Sequence, residues 1–94
     1  IIGYITARVE YGYLGHIISI AIHPNWRRKG IGALLLNKCM EELKKLGCKA
    51  VYLEVRISNY PAISLYKKLG FNIERRVSRY YRDGEDAFVM ARKL

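Results

Sequence analysis

Apolar positions along the chain change their spacing several times, and each change marks a predicted element. Residues 2–9 are β-branched and aromatic and predict a strand, with Gly12 and Gly15 marking a turn over 10–15. Residues 16–22 form a near-continuous apolar run, the pattern of a strand buried on both faces, and Pro24 ends it because proline cannot donate to a ladder. From Ile31 the spacing becomes helical. Ile31, Leu34, Leu35, Cys39, Leu43 and Leu46 make an apolar stripe, Lys38, Glu41, Glu42, Lys44 and Lys45 take the other face, and Gly47 is placed to cap the C-terminus. Residues 50–56 predict a second buried strand. A short helix follows, with Ser58 and Asn59 as N-cap candidates, Pro61 in its first turn, and Gly70 closing it after Leu69. Residues 71–80 and 86–92 predict two strands paired as a hairpin around Asp83-Gly84.

The order is β-β-α-β-α-β-β. The strand–helix–strand unit over 16–56 predicts a crossover with its two strands parallel, and the outer strands are expected antiparallel. The fold class is α/β, a mixed and mostly antiparallel sheet around a central parallel β-α-β unit. Ninety-four residues allow one domain, 1–94. The first residues, Ile-Ile-Gly-Tyr, lack an initiator Met and start abruptly on strand-like sequence, so an upstream segment is expected.

Composition narrows the partners only a little. No apolar run approaches the roughly 20 residues that span a bilayer, so no membrane role is expected. Seventeen basic and 8 acidic residues give a net charge of +9. That suits a polyanion or a phosphorylated cofactor, or simply a solubilised surface. The basic residues are dispersed rather than gathered in a tail, so nucleic acid is not expected as the primary partner. Cys39 and Cys48 have no His or Cys at metal spacing; reduced thiols, a cytoplasmic setting and no metal are expected.

The strongest local signal is Arg27-Arg28-Lys29-Gly30-Ile31-Gly32, between a buried strand and a helix. Glycines let a backbone approach a ligand. The unpaired first-turn amides and the helix dipole favour an anion, and three cations stand alongside. No Gly-Lys-Ser/Thr follows, and the third glycine and acidic residue of a dinucleotide site are absent. A plain glycine-containing connection with solvated cations is the other reading of these residues alone.

Arg27-x-x-Gly30-x-Gly32 after a buried strand resembles the acetyl-CoA pyrophosphate loop of GNAT-type N-acetyltransferases. Two further stretches extend the resemblance to nearly the whole chain. Leu53–Asn59, Ala62–Tyr66 and Leu69-Gly70-Phe71 are similar to the second half of that cofactor site. Tyr80–Ala87 is similar to the C-terminal hairpin of protein N-terminal acetyltransferases. The archaeal N-alpha-acetyltransferases and the bacterial ribosomal-protein-alanine acetyltransferase belong to this group, and Tyr52–Leu94 looks most like the archaeal type.

The resemblance implies acetyl transfer from acetyl-CoA to the N-terminal α-amine of proteins or peptides, without a metal. By it, Arg27, Arg28, Lys29, Gly30, Ile31 and Gly32 hold the pyrophosphate, and the edge Ile20-Ala21-Ile22 pairs with the pantetheine arm and offers an N–H to the thioester carbonyl. Asn59 corresponds to a position that bonds the same arm, or is a plain N-cap. Tyr66 corresponds to the general acid for the leaving thiolate, or packs the short helix. Glu54 corresponds to the general base, or pairs with Arg56, which shares its face. Tyr80 and Tyr81 correspond to peptide-groove residues, or pack across the hairpin. Family members also carry a strand and two helices ahead of the region matching Ile1, and some archaeal ones a longer connection than Tyr11–His16. The resemblance also admits ribosome association. Other readings stay open: an acetyltransferase for lysine or a small amine, and a non-catalytic CoA-binding or ribosome-docking module.

Overall fold

The computed structural model describes residues 2–27 and 30–94. Eight elements follow one another. Strands β1 (Gly3–Glu10) and β2 (Leu14–Ile22) lead into a single 3-10 turn at Pro24–Trp26 and helix α1 (Ile31–Lys45). Strand β3 (Ala50–Arg56), helix α2 (Tyr60–Lys68) and strands β4 (Asn72–Val77) and β5 (Ala87–Lys93) complete the chain. The five strands form one sheet in the order β1-β2-β3-β5-β4. Among the described residues only β2 and β3 run parallel; every other neighbouring pair is antiparallel. The succession of elements along the chain and the strand directions agree with the pattern of the sequence, because each reversal sits on a turn signal and the parallel pair is bridged by a helix; the placing of β5 between β3 and β4 is seen only in the sheet.

Both helices lie on one side of the sheet. Leu36, Met40 and Leu43 of α1 and Ile63 and Tyr66 of α2 share a core with Ile17, Val51, Leu53, Val55 and Met90 of the strands. In β3 the alternation is clean: Val51, Leu53 and Val55 are buried, while Tyr52, Glu54 and Arg56 point to the opposite face. Both helices end in the same way. Gly70 (φ 92°) follows α2, its N–H bonded to Lys67 and the Phe71 N–H bonded to Tyr66. This left-handed Schellman ending turns Phe71 back onto Tyr66, ring centroids 5.9 Å apart, and so locks Tyr66 in place. Gly47 ends α1 with the same pair of bonds.

Two expectations about burial are corrected. The apolar stripe of α1 is centred on Leu36, Met40 and Leu43; Leu34 is 59% exposed and Leu46 67%. Leu34 points away from the sheet, and Leu46 lies past the last helical turn, so their apolar character does not place them in the core. Nor is β2 buried on both faces, since Ile18 is 49% exposed. The cause is local. Thr6 pairs with Ser19 and Ala7 with Ile17, leaving Ile18 as an extra residue in a β-bulge. The bulge shifts the alternation, so Ile17 and Ile20 pack on the helix side although they are three apart.

Candidate active site

Strands β2 and β3 stay paired only from Leu14↔Ala50 to Ile17↔Leu53. Both then continue, β2 held by β1 and β3 by β5, with no ladder between them. The Ile18 bulge bends β2 at the point of separation. Between the strands lies a cavity of about 240 Å³, lined by Ile17–Ile20 of β2, Leu53–Arg56 of β3, and Asn59, Tyr66 and Tyr81. Five of the residues singled out in the sequence therefore meet here: Ile20, Glu54, Asn59, Tyr66 and Tyr81.

A second cavity, about 210 Å³, continues along β2 and is lined by Ile22, Trp26, Arg27, Gly30–Ala33 and Leu65. It gathers the described part of the glycine loop; Arg28 and Lys29 lie outside the described residues. Gly30 is the N-cap of α1 with φ 76°, and no side chain caps the helix. The first intrahelical bond of α1 runs from the Leu34 N–H to the Gly30 carbonyl, so the Ile31, Gly32 and Ala33 amides precede the helical ladder. A Cβ on Gly32 would come 3.2 Å from Leu65 Cδ2, so this glycine also sets the close approach of α1 to α2. Arg27 donates from Nε to the Ile22 carbonyl at 3.2 Å, tying the loop to the end of β2.

Glu54 does not pair with Arg56. The Arg56 guanidinium donates to Asp83 (2.8 Å) and Glu85 (3.0 Å) and lies 4.1 Å from the Tyr81 ring centroid. Acceptors on the 83–85 turn thus capture the cation that shares the face of Glu54. The partner of Glu54 is His16, with Nε2 to Oε1 at 2.8 Å. His16 Nδ1 in turn meets Glu10 Oε2 at 3.2 Å, and its ring stacks on Tyr52 at 4.2 Å. Glu10 also accepts from Tyr52 Oη at 2.7 Å and from Arg8 Nε at 2.8 Å.

His16 was not among the residues singled out in the sequence. Its signal is a lone imidazole in an apolar strand, and only the register His16↔Tyr52 brings it onto the face of Glu54. Ionised carboxylates only accept, so two hydrogen bonds along the row Glu54–His16–Glu10 require two protons, and one bond requires one. The row thus joins the two carboxylates through the one imidazole. Its carboxylates sit on opposite ring nitrogens and do not converge on a single ion. Among the described residues no group of His, Cys, Asp and Glu is placed to hold a metal.

The outer end of the row has a marked electrostatic signature. The Tyr52 hydroxyl, with Arg8 and His16, holds the Glu10 carboxyl below its ordinary value. Burial, with the Glu10 hydrogen bond added, pushes Tyr52 up to about 12. A carboxyl lowered in the folded state stabilises the fold above its unfolded pKa, near 4.3, and that stabilisation is lost as the pH falls through the folded value. Glu10→Gln is thus expected to lower the thermal midpoint at neutral pH, with the gap to wild type closing below the ordinary carboxylate range. Scanning calorimetry of both proteins across that range checks it.

Tyr66 sits on α2 and is 6% exposed. Burial raises its phenol, with Tyr81 adding to the effect, so it stays protonated at neutral pH. Asn59 is the N-cap of α2, its side-chain oxygen accepting from the Ala62 N–H at 3.4 Å while it also lines the cavity. Tyr80 was expected at the end of a strand over 71–80 with Tyr81 just past it, but β4 stops at Val77. They lie in the loop before β5, where Asp86 accepts from the Arg79 N–H and from Arg76 Nε and pulls the chain out of the ladder. A tight turn is nested in this loop, but it is centred on Arg82-Asp83 rather than Asp83-Gly84: the Gly84 N–H bonds to the Tyr81 carbonyl, and Gly84 follows the turn with φ 92°. The two rings meet edge to face at 5.0 Å; Tyr80 is 48% exposed, and Tyr81 reaches the cavity.

The comparisons with known proteins agree with this geometry. The model of the Acetyltransferase (GNAT) family matches residues 1–71. The N-alpha-acetyltransferase of Saccharolobus solfataricus is 44% identical over 106 aligned positions, covering 100% of this chain and 64% of that relative. The ribosomal protein bS18-alanine N-acetyltransferase of Escherichia coli is 45% identical over 78 residues, 80% of this chain and 53% of that protein. The crystal structure of Ard1 from Thermoplasma volcanium superimposes with a TM-score of 0.95 at 31% identity, covering 99% of this chain and 63% of that one. This chain thus spans less than two thirds of the length of these relatives. With a family model matched over most of its length and a splayed β2/β3 cavity flanked by a glycine-capped helix, the chain belongs to the GNAT family of acetyltransferases.

Proposed function

We propose that this chain transfers an acetyl group from acetyl-CoA to the N-terminal α-amine of a protein or peptide. The observation that carries the reading is the meeting of Glu54 and Tyr66 at one cavity, between strands whose facing edges are free. The names of the relatives, N-alpha-acetyltransferase and ribosomal protein bS18-alanine N-acetyltransferase, support the choice of amine.

The residues fit acetyl-CoA. The first-turn amides of α1 and the Gly30–Gly32 backbone suit a pyrophosphate, and Arg27, Arg28 and Lys29 supply positive charge around it. The free edge at Ile20-Ala21-Ile22 suits an amide-bearing arm laid down like an added strand, which an N-cap at Asn59 would flank. When bound, acetyl-CoA supplies an activated acyl group. At the cavity a backbone N–H of the bulged strand donates to the acyl oxygen. Glu54, directly or through a water, accepts the amine's proton, and His16, bonded to its Oε1 at 2.8 Å, holds the carboxylate in place. An α-amine has an ordinary pKa of about 7.7–8.0, so little base strength is needed. Tyr66, held protonated, returns a proton to the thiolate. Tyr80 and Tyr81 hold the peptide backbone.

A cytoplasmic location belongs to the same reading, supported by two free cysteines, Cys39 and Cys48. Residues 1–94 would form the cofactor-binding portion of one acetyltransferase domain, and a ribosomal protein's terminus is one class of substrate to try.

Two peptides test the reading, both with an internal lysine, one with a free and one with a blocked N-terminus. Acetylation of the first alone, at its α-amine, is expected. Lysine acetylation in the blocked twin would move the reading to a lysine or small-amine enzyme. Acetyl-CoA uptake with transfer to neither would leave a CoA-binding module.

A further inference from the structure

The end of the sheet remote from the cavity carries a second set of features that acetyl transfer does not use. β1 and β2 are joined there by the turn Glu10-Tyr11-Gly12-Tyr13, closed by a bond from the Tyr13 N–H to the Glu10 carbonyl at 3.2 Å. Tyr11 and Gly12 both have positive φ, 56° and 77°, as a type I′ turn demands. Asn, Asp or Gly favour the first of these positions; a bulky aromatic residue there is an outlier. The Tyr11 side chain gains nothing from burial in return, since it is 83% exposed. Tyr13, 53% exposed, stands beside it with ring centroids 6.2 Å apart and planes tilted by 36°. Two large rings are thus held in water at a strained turn.

Four lysines belong to the segments whose backbones meet this turn. Lys49 bonds through its N–H to the Tyr13 carbonyl at 2.7 Å, and its own carbonyl accepts from the Leu94 N–H at 2.9 Å. Lys93 is exposed and pairs with Ala50, which pairs with Leu14 on its other side. Lys44 and Lys45 form the last turn of α1, whose end abuts the turn: a Cβ on Gly47 would lie 3.9 Å from the Gly12 carbonyl. The acids near these lysines are Glu10, Glu41, Glu42 and Glu74, the last sharing a surface cavity with Lys93. Glu10 is turned to Arg8, Tyr52 and His16, while Glu42 engages Lys45 at 3.5 Å and Glu41 lies one turn back on α1.

We propose that this pole is a docking site for a single-stranded polynucleotide, its bases stacking on Tyr11 and Tyr13 and its phosphates meeting Lys44, Lys45, Lys49 and Lys93. Stacking rings interleaved with a basic collar are what a strand with exposed bases requires, and every base offers a flat face. A membrane surface would call for a wider apolar face than two tyrosine rings offer. Four to six residues of β2 separate the pole from the cavity, about 13–20 Å, so the two sites can be filled together.

The test is a fluorescence-anisotropy titration with a labelled oligouridine of about 12 nucleotides, at several salt concentrations. Each neutralised phosphate contributes about −0.7 to the slope of log affinity against log salt, so four lysines give about −3. Tyr11→Asn with Tyr13→Thr keeps the turn chemistry while removing both rings. That pair is expected to weaken binding about tenfold or more with the salt slope unchanged. Lys49→Gln with Lys93→Gln is expected to halve the slope. Circular dichroism of both pairs confirms folding. Affinities and slopes unaffected by either pair would overturn the proposal and leave only the diffuse +9 charge. Uptake onto phosphatidylserine vesicles without oligouridine binding would overturn it in favour of a membrane surface.

Discussion

Replacing Tyr66 by Phe is expected to cut kcat for acetyl transfer by about 10²- to 10⁴-fold, the span typical of losing a positioned acid. The fold and the affinity for acetyl-CoA should survive. Phe keeps the ring packed on Phe71, and the chain still closes α2 through Gly70. Only the hydroxyl is lost, on a side chain 6% exposed that lines the cavity. The direction of the phenol shift adds a second signature. Burial raises Tyr66 above its ordinary value near 10, so wild type should keep its acid form well into the alkaline range. A variant with normal kcat would return Tyr66 to the packing role that its burial also permits. Steady-state kinetics beside a calorimetric titration separate the two.

Glu54→Gln is the second large expected effect, a loss of about 10²-fold or more in kcat/KM near neutral pH. Gln has the same size and can still bond His16, so the geometry of the row is kept while its terminal charge goes. The loss should narrow as the pH rises past the α-amine value of about 7.7–8.0, because the substrate then arrives already deprotonated. If Glu54 served only to anchor His16, the deficit would not depend on pH in this way. A pH–rate profile of wild type and variant on a short peptide distinguishes them.

How much of this was legible in the sequence depends on the range of the interaction. Local chemistry read correctly. The N-cap at Asn59, the glycine endings at Gly47 and Gly70, and the switch from strand to helical spacing at Ile31 are each set by neighbours in the chain. Register was not legible. The bulge at Ile18 inserts one residue into an apolar run with no mark in composition, and it decides both the exposure of Ile18 and the opening of the cavity. The same holds for His16, whose contact with Glu54 spans 38 positions and follows from pairing β2 with β3. Arg56 looked like the natural partner of Glu54 at i+2, yet two carboxylates from the distant 83–85 turn outcompete it. Tyr80 and Tyr81 continue a strand-like run, but the bonds to Asp86 place them in a loop. Leu34 shows the limit of periodicity, which locates a helix more surely than the centre of its buried face.

The measurement that tests the central claim most directly is a calorimetric titration of the folded chain with acetyl-CoA. Binding at one site per chain, weakening as salt rises because a pyrophosphate meets cations, is the predicted result. A chain that is folded by circular dichroism yet takes up no acetyl-CoA would contradict the account. The cavity between β2 and β3 would then need another occupant.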